Sequence, residues 1–138
     1  MTQLASRTLA VARPLVLVVD DDPDILDAVC EILETEGYRV ARARNGREAL
    51  DRVDHEPPAV ILLDLMMPVM DGSTFAQALR GRPRHRGIPI VLLTAAGSPQ
   101  KAAALGASGY LAKPFEIEVL LSYVAGLTRP GVGSAAGH

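Results

Sequence analysis

The stretch "LVLVVDDDPDIL", residues 15–26, decides the fold and raises the first chemical question. Leu15 to Val19 is an unbroken apolar run, the pattern of a parallel strand covered on both faces. It runs straight into Asp20, Asp21 and Asp22, with Asp24 just beyond Pro23. Like charges packed this tightly repel, and core packing gives no reason for them. Asp22, ahead of Pro23, suits a helix N-cap, and Asp24 suits the first turn of that helix. Asp20 and Asp21 are left at the end of a buried strand.

Working outward, two more continuous apolar runs, Ala59–Asp64 and Ile88–Leu93, read as central strands. Tyr38–Ala43 and Ser108–Ala112 are weaker strand patterns, suited to edges. Helical patterns lie between them. Ile25, Val29, Ile32 and Leu33 form a stripe that stops at Gly37. Asn45 with Glu48 resembles a capping box opening a helix through Val53. Ser73–Arg80 and Ser98–Leu105 are short helices, the second with Pro99 in its first turn. Ile117, Leu120, Leu121 and Val124 mark one face of the last. Five β–α units imply a parallel sheet with right-handed crossovers and helices on both faces. Residues 13–128 form this domain, while 1–12 are expected to be flexible and 129–138 disordered.

Composition narrows the class. The chain has 138 residues, 49% of them hydrophobic and 22% charged, which fits one globular domain. A formal charge of −2 gives no general attraction to nucleic acid or anionic membrane. Arg80, Arg82, Arg84, His85 and Arg86 read as a solvated basic loop. Cys30 is the single cysteine, so no intrachain disulfide or thiolate metal cluster can form. No apolar run reaches the roughly 18 residues that span a bilayer. The first residues lack the order of a signal peptide. The cytoplasm is the expected compartment.

In parallel sheets of this kind ligands bind beyond the carboxyl ends of the strands. Those ends carry Asp20 and Asp21 on the first strand and Asp64 on the third. They carry Thr94 on the fourth and Lys113 on the fifth. Three carboxylates, a hydroxyl and an ammonium thus converge from four strands. Clustered carboxylates call for a cation, and an all-oxygen set favours a hard ion such as Mg²⁺ over zinc. A carboxylate can also act as the nucleophile in phosphoryl transfer, given a metal, a cation and hydrogen-bond donors to neutralise the spreading charge. Lys113 and Thr94 would supply the last two.

Four stretches, "LVLVVDDDPDIL", "VILLDLMMPVMDG", "VLLTA" and "GASGYLAKPF", occur in an order that carries a resemblance. From about Arg13 to Leu127 the chain resembles the receiver domain of two-component response regulators, of the chemotaxis-regulator type. The resemblance implies a flavodoxin-like, doubly wound, five-stranded parallel sheet of order 2-1-3-4-5 with five helices. It implies that Asp64 is the phosphoacceptor and that Asp20 and Asp21 are the acidic pair holding Mg²⁺. Asp64 and the Met66 backbone carbonyl would complete the metal ligands. Thr94 would be the switch hydroxyl, Lys113 the cation beside the phosphoryl group, and Tyr110 the aromatic that turns inward. The Lys113–Pro114 bond would be cis.

The function so implied is a stand-alone receiver in a phosphorelay. A histidine kinase or phosphotransfer protein donates to Asp64, and the domain catalyses only its own phosphorylation and dephosphorylation. Its output goes to a downstream protein, with no direct contact to nucleic acid or membrane. The alternative is a haloacid-dehalogenase-like phosphohydrolase using Asp20, with Asp22, Thr94 and Lys113 in support. That class resembles a longer chain with a cap and a late acidic motif, and it leaves Asp64 idle. Two departures from the receiver pattern stand out. The Thr94–Lys113 segment is short, so the fourth helix should be stunted. Met66 and Ala96 offer no polar side chain to position water, so phosphate should leave Asp64 slowly.

Overall fold

The computed structural model describes residues 13–65, 71–94 and 99–128. The expectations for residues 1–12 and 129–138 lie outside them. The elements are β1 (Leu15–Val19), α1 (Pro23–Thr35), β2 (Arg39–Ala43), α2 (Gly46–His55) and β3 (Val60–Asp64). They continue with α3 (Gly72–Arg80), β4 (Ile90–Thr94), α4 (Pro99–Ala104), β5 (Gly109–Ala112) and α5 (Ile117–Thr128). The strands form one parallel sheet in the order β2-β1-β3-β4-β5. This is the expected flavodoxin-like arrangement.

Strand alternation divides the core in two. Leu17, Val19, Ile61, Leu63, Ile90 and Leu92 face a cluster completed by α2, α3 and α4. Val16, Val18, Val60, Leu62, Val91 and Leu93 face a second cluster completed by α1 and α5. β1 and β3 are buried along their whole length. That is why their sequences read as unbroken apolar runs, whereas edge strand β2 keeps Arg39 and Arg42 in solvent.

Helix ends follow the local chemistry. Asp22 caps α1 by accepting from the backbone N–H groups of Asp24 and Ile25. α1 closes at Gly37 (φ +97°) with paired bonds from Gly37 N–H to the Glu34 carbonyl and from Tyr38 N–H to the Leu33 carbonyl. α4 closes the same way at Gly106 (φ +68°), through Gly106 to Ala103 and Ala107 to Ala102. With six residues, α4 is the stunted helix expected. Asn45 caps α2 by accepting from the Glu48 amide, but the Glu48 carboxylate turns back to the amide of Arg44 rather than that of Asn45. α2 also runs two residues past Val53, so His55 ends a helix instead of standing in a loop.

Two stripes shift. Leu26, Val29, Cys30 and Leu33 are the buried face of α1, with Ile25 and Ile32 only half-buried. On α5, Leu120 and Val124 are buried but Ile117, the first helical residue, is 45% exposed. It precedes the turn that reaches the sheet.

The basic stretch after α3 is a turn, yet it is not simply solvated. The Arg80 guanidinium donates to the Arg86 carbonyl at 2.6 Å and to the Gly106 carbonyl at 3.0 Å. It therefore ties the end of α3 to the turn after α4. Arg82 pairs with Asp54 of α2, and His85 is buried beneath them with Nε2 at 3.6 Å from Asp54. Arg80→Gln should lower stability by about 1–3 kcal/mol in urea denaturation, because charged donors to carbonyls contribute at that scale. A change within about 0.3 kcal/mol would mean that water replaces the guanidinium without loss.

Candidate phosphoacceptor site

The site forms where β1 and β3 stop. Asp20 extends β1 by one rung, its N–H bonding the Ala43 carbonyl of β2 at 3.1 Å. This fixes its carboxylate at the sheet edge, where its side chain has no solvent exposure. Asp20 Oδ1 accepts the Asp22 amide at 2.9 Å, which turns the chain into α1 and leaves Asp21 exposed between them. Asp64 closes β3 and is 5% exposed. One carboxylate oxygen each from Asp20, Asp21 and Asp64 lie within 4.8 Å of one another. The three acids that the sequence singled out are brought together.

Lys113, just after β5, reaches across the edge. Its Nζ lies 2.8 Å from Asp20 Oδ2 and 3.7 Å from Asp64 Oδ1. The peptide bond from Lys113 to Pro114 is cis, as expected. Thr94 closes β4 on the same edge, in register with Ala112 of β5; its hydroxyl is outside the described atoms. Met66 and Ala96 lie outside the described residues. Tyr110 is half-buried and packs against the cluster beneath α2, α3 and α4. On the opposite face of β5, the Tyr123 ring covers Gly109, where a Cβ would run into it.

Sequence reasoning missed one positioning residue. Asp71 is the N-cap of α3, accepting from the Thr74 amide at 2.8 Å, and Gly72 is the first residue of that helix. That bond holds the Asp71 carboxyl below the usual carboxylate range. Gly72, however, presses on the end of β3. A Cβ there would stand 2.7 Å from the Asp64 carbonyl oxygen and 2.8 Å from Leu65 Cα. The Asp–Gly pair was the available signal, but it marks any tight turn equally well.

Chemically, the site is an all-oxygen pocket with an ammonium at its side. No histidine or cysteine joins the acidic group among the described residues, which fits a hard divalent cation rather than zinc. The family model of the response regulator receiver domain matches residues 16–125.

The chain belongs to the response regulator receiver family.

Among characterised relatives, this receiver is 41% identical over 119 residues to the DNA-binding dual master transcriptional regulator RpaA of Synechocystis sp., covering 84% of this chain and 49% of that protein. It is 39% identical over 117 residues to response regulator MprA of Mycolicibacterium vanbaalenii, covering 83% and 50%. The receiver thus spans about half the length of the curated relatives it matches. Among solved structures it is similar to the chemotaxis response regulator CheY4 of Vibrio cholerae, with a TM-score of 0.78, 39% identity, and coverage of 83% and 98%. It is also similar to the signal receiver domain of a signal transduction histidine kinase from Syntrophus aciditrophicus, with a TM-score of 0.77, 36% identity, and coverage of 83% and 89%. The chain is therefore a signalling domain of two-component systems. No helix among the described residues is long and apolar enough to cross a membrane.

Proposed function

We propose that this receiver accepts a phosphoryl group on Asp64 from a histidine kinase or phosphotransfer protein and passes the signal on by changing its binding to another protein. The convergence of Asp20, Asp21 and Asp64 oxygens within 4.8 Å, with Lys113 beside them, carries the reading. An Asp64 oxygen attacks phosphorus as the bond to the donor's leaving nitrogen breaks, and the leaving nitrogen takes the electron pair and a proton. Lys113 is placed to neutralise charge on the transferred oxygens, and the Thr94 hydroxyl is assigned to the same task. Asp20, Asp21, Asp64 and the Met66 carbonyl would hold Mg²⁺, which when bound supplies further neutralisation. Phosphate on Asp64 then shifts a two-state equilibrium through Thr94 and Tyr110.

The formal charge of −2 gives the chain no general attraction to nucleic acid, and this favours output through a protein, whether separate or covalently joined. The cytoplasm is the compartment assigned to it, as is typical of response regulators. A dehalogenase-like hydrolase acting through Asp20 is disfavoured because both Asp20 oxygens are engaged, by the Asp22 amide and by Lys113. Incubation with acetyl phosphate and Mg²⁺, followed by borohydride trapping and peptide mapping, decides between them. Label is expected on Asp64 and is expected to vanish in Asp64→Asn or with EDTA. Label on Asp20 would overturn the assignment.

A further inference from the structure

β2 is an edge strand, bonded to β1 on one side only. The Arg39 N–H bonds the Pro14 carbonyl and the Ala43 carbonyl accepts the Asp20 N–H, each at 3.1 Å. Alternate residues of a parallel ladder bond the same neighbour, so Arg39, Ala41 and Ala43 serve β1. Val40 and Arg42 therefore direct their N–H and carbonyl groups outward. α1 and α2 cover opposite faces of the sheet. The groove of about 730 Å³ lined by Leu26 and Asp27 of α1 and by Glu48 and Arg52 of α2 thus passes around this free edge.

A row of outward backbone groups is a template for another strand. Here it is self-complementary. Two copies of β2 set antiparallel about Ala41 place Val40 of each opposite Arg42 of the other. Both outward N–H groups and both outward carbonyls of each strand then find partners, as in a two-fold dimer. That register puts Arg39 opposite Ala43 and Arg42 opposite Val40, so no two arginines of the strands stand directly opposite. Nor does their charge bar the way. Arg39, Arg42 and Arg44 are offset by Glu56 at 2.6 Å, Asp27 at 2.8 Å and Glu48 at 3.6 Å. Arg52 differs from these three. Among the described residues it has no carboxylate at ion-pair distance, and its Nε donates to the Arg42 carbonyl at 3.2 Å. It occupies one of the two outward carbonyls and holds an uncompensated cation over the strand.

We propose that β2 is a latent pairing edge for a second copy of this chain, and that Arg52 keeps it closed. Pairing would break the Arg52–Arg42 bond in both copies and crowd two guanidiniums that lack counter-charges. The Arg52 side chain is exposed, so its replacement leaves the core packing of α2 intact.

Light scattering over a concentration series and amide hydrogen exchange test this on the full chain. Arg52→Ala and Arg52→Met, the second keeping an apolar stem, should approach a doubling of the wild-type mass as concentration rises. Exchange at Val40 and Arg42 should slow by about tenfold over the same range, while wild type changes in neither respect. Adding Val40→Pro to Arg52→Ala removes an outward N–H and spares the bonds to β1, so the mass should return to that of wild type. Unchanged mass and exchange in both Arg52 variants would overturn the proposal. A gain in mass with Val40 and Arg42 exchanging at the wild-type rate would overturn it as well, because another surface would then be associating.

Discussion

Gly72→Ala should destabilise the domain by about 3 kcal/mol and remove phosphate acceptance together with it. Two effects oppose each other at this position. Alanine favours a helix over glycine by up to about 1 kcal/mol, and Gly72 opens α3, so propensity alone predicts a gain. The new methyl group would stand 2.7 Å from the Asp64 carbonyl oxygen and 2.8 Å from Leu65 Cα. Both are backbone atoms of β3 and its continuation, so neither can rotate away. Relief requires α3 to lift from β3 or the end of β3 to move. The first loses packing of Phe75, Ala76 and Leu79, all buried. The second shifts Asp64 relative to Asp20, whose position is fixed by the rung to Ala43. Overpacking of this kind costs about 1–3 kcal/mol and more where backbone must move, so sterics should win over propensity. Urea denaturation and acetyl-phosphate labelling check the two halves. A variant within about 0.5 kcal/mol of wild type that still labels would show that the contact relaxes freely.

Replacing one site acid should move stability and function in opposite directions. Asp64 has two carboxylates within 4.8 Å against one ammonium at 3.7 Å, so its like-charged neighbours outnumber the cation. Asp21 faces the same two carboxylates and is exposed, which screens it. Asp20 is different, since the Lys113 bond at 2.8 Å and the Asp22 amide compensate its burial. Unit charges about 4 Å apart interact by about 4 kcal/mol at an effective dielectric near 20, and partial cancellation leaves about 1 kcal/mol. Asp64→Asn is therefore expected to unfold a few degrees higher than wild type without divalent cations. Adding Mg²⁺ should raise the wild-type Tm and leave that of Asp64→Asn nearly unchanged. At a hundredfold excess over Kd, binding stabilises the wild type by about 2.7 kcal/mol. A variant less stable than wild type in EDTA would show that the carboxylates are not in conflict. Asp20→Asn should behave oppositely and destabilise, because Lys113 would lose its closest partner.

Much of this was legible in the sequence because its signals are local. An unbroken apolar run such as Leu15–Val19 can only be buried on both faces, so sheet type and position follow from β1 and β3 directly. Caps at Asp22 and Asn45, and the stop at Gly37, are short-range bonds between a side chain or glycine and the next few amides. Strand-end acids were visible for the same reason, since each interrupts an apolar strand abruptly. Helix faces were read less well. The buried stripe of α1 keeps Val29 and Leu33 but takes Leu26 and Cys30 in place of Ile25 and Ile32. The basic loop was misjudged as solvated, since Arg80 finds its carbonyl partner 26 positions along the chain.

The sequence by itself determined the elements, their order of appearance, and which residues bear chemistry. It did so because propensity, capping and hydrophobic period act over a few neighbouring residues. Only the tertiary structure decided how those residues are paired. Lys113 lies 93 positions from Asp20, and no local pattern chooses between Asp20 and Asp64 as its partner. That choice depends on where β5 and β1 end on opposite sides of β3 and on which oxygen the Asp22 amide has already taken. Gly72 is the same case. Its lack of a side chain matters because α3 returns to touch the end of β3, a closeness that exists only once the sheet is assembled.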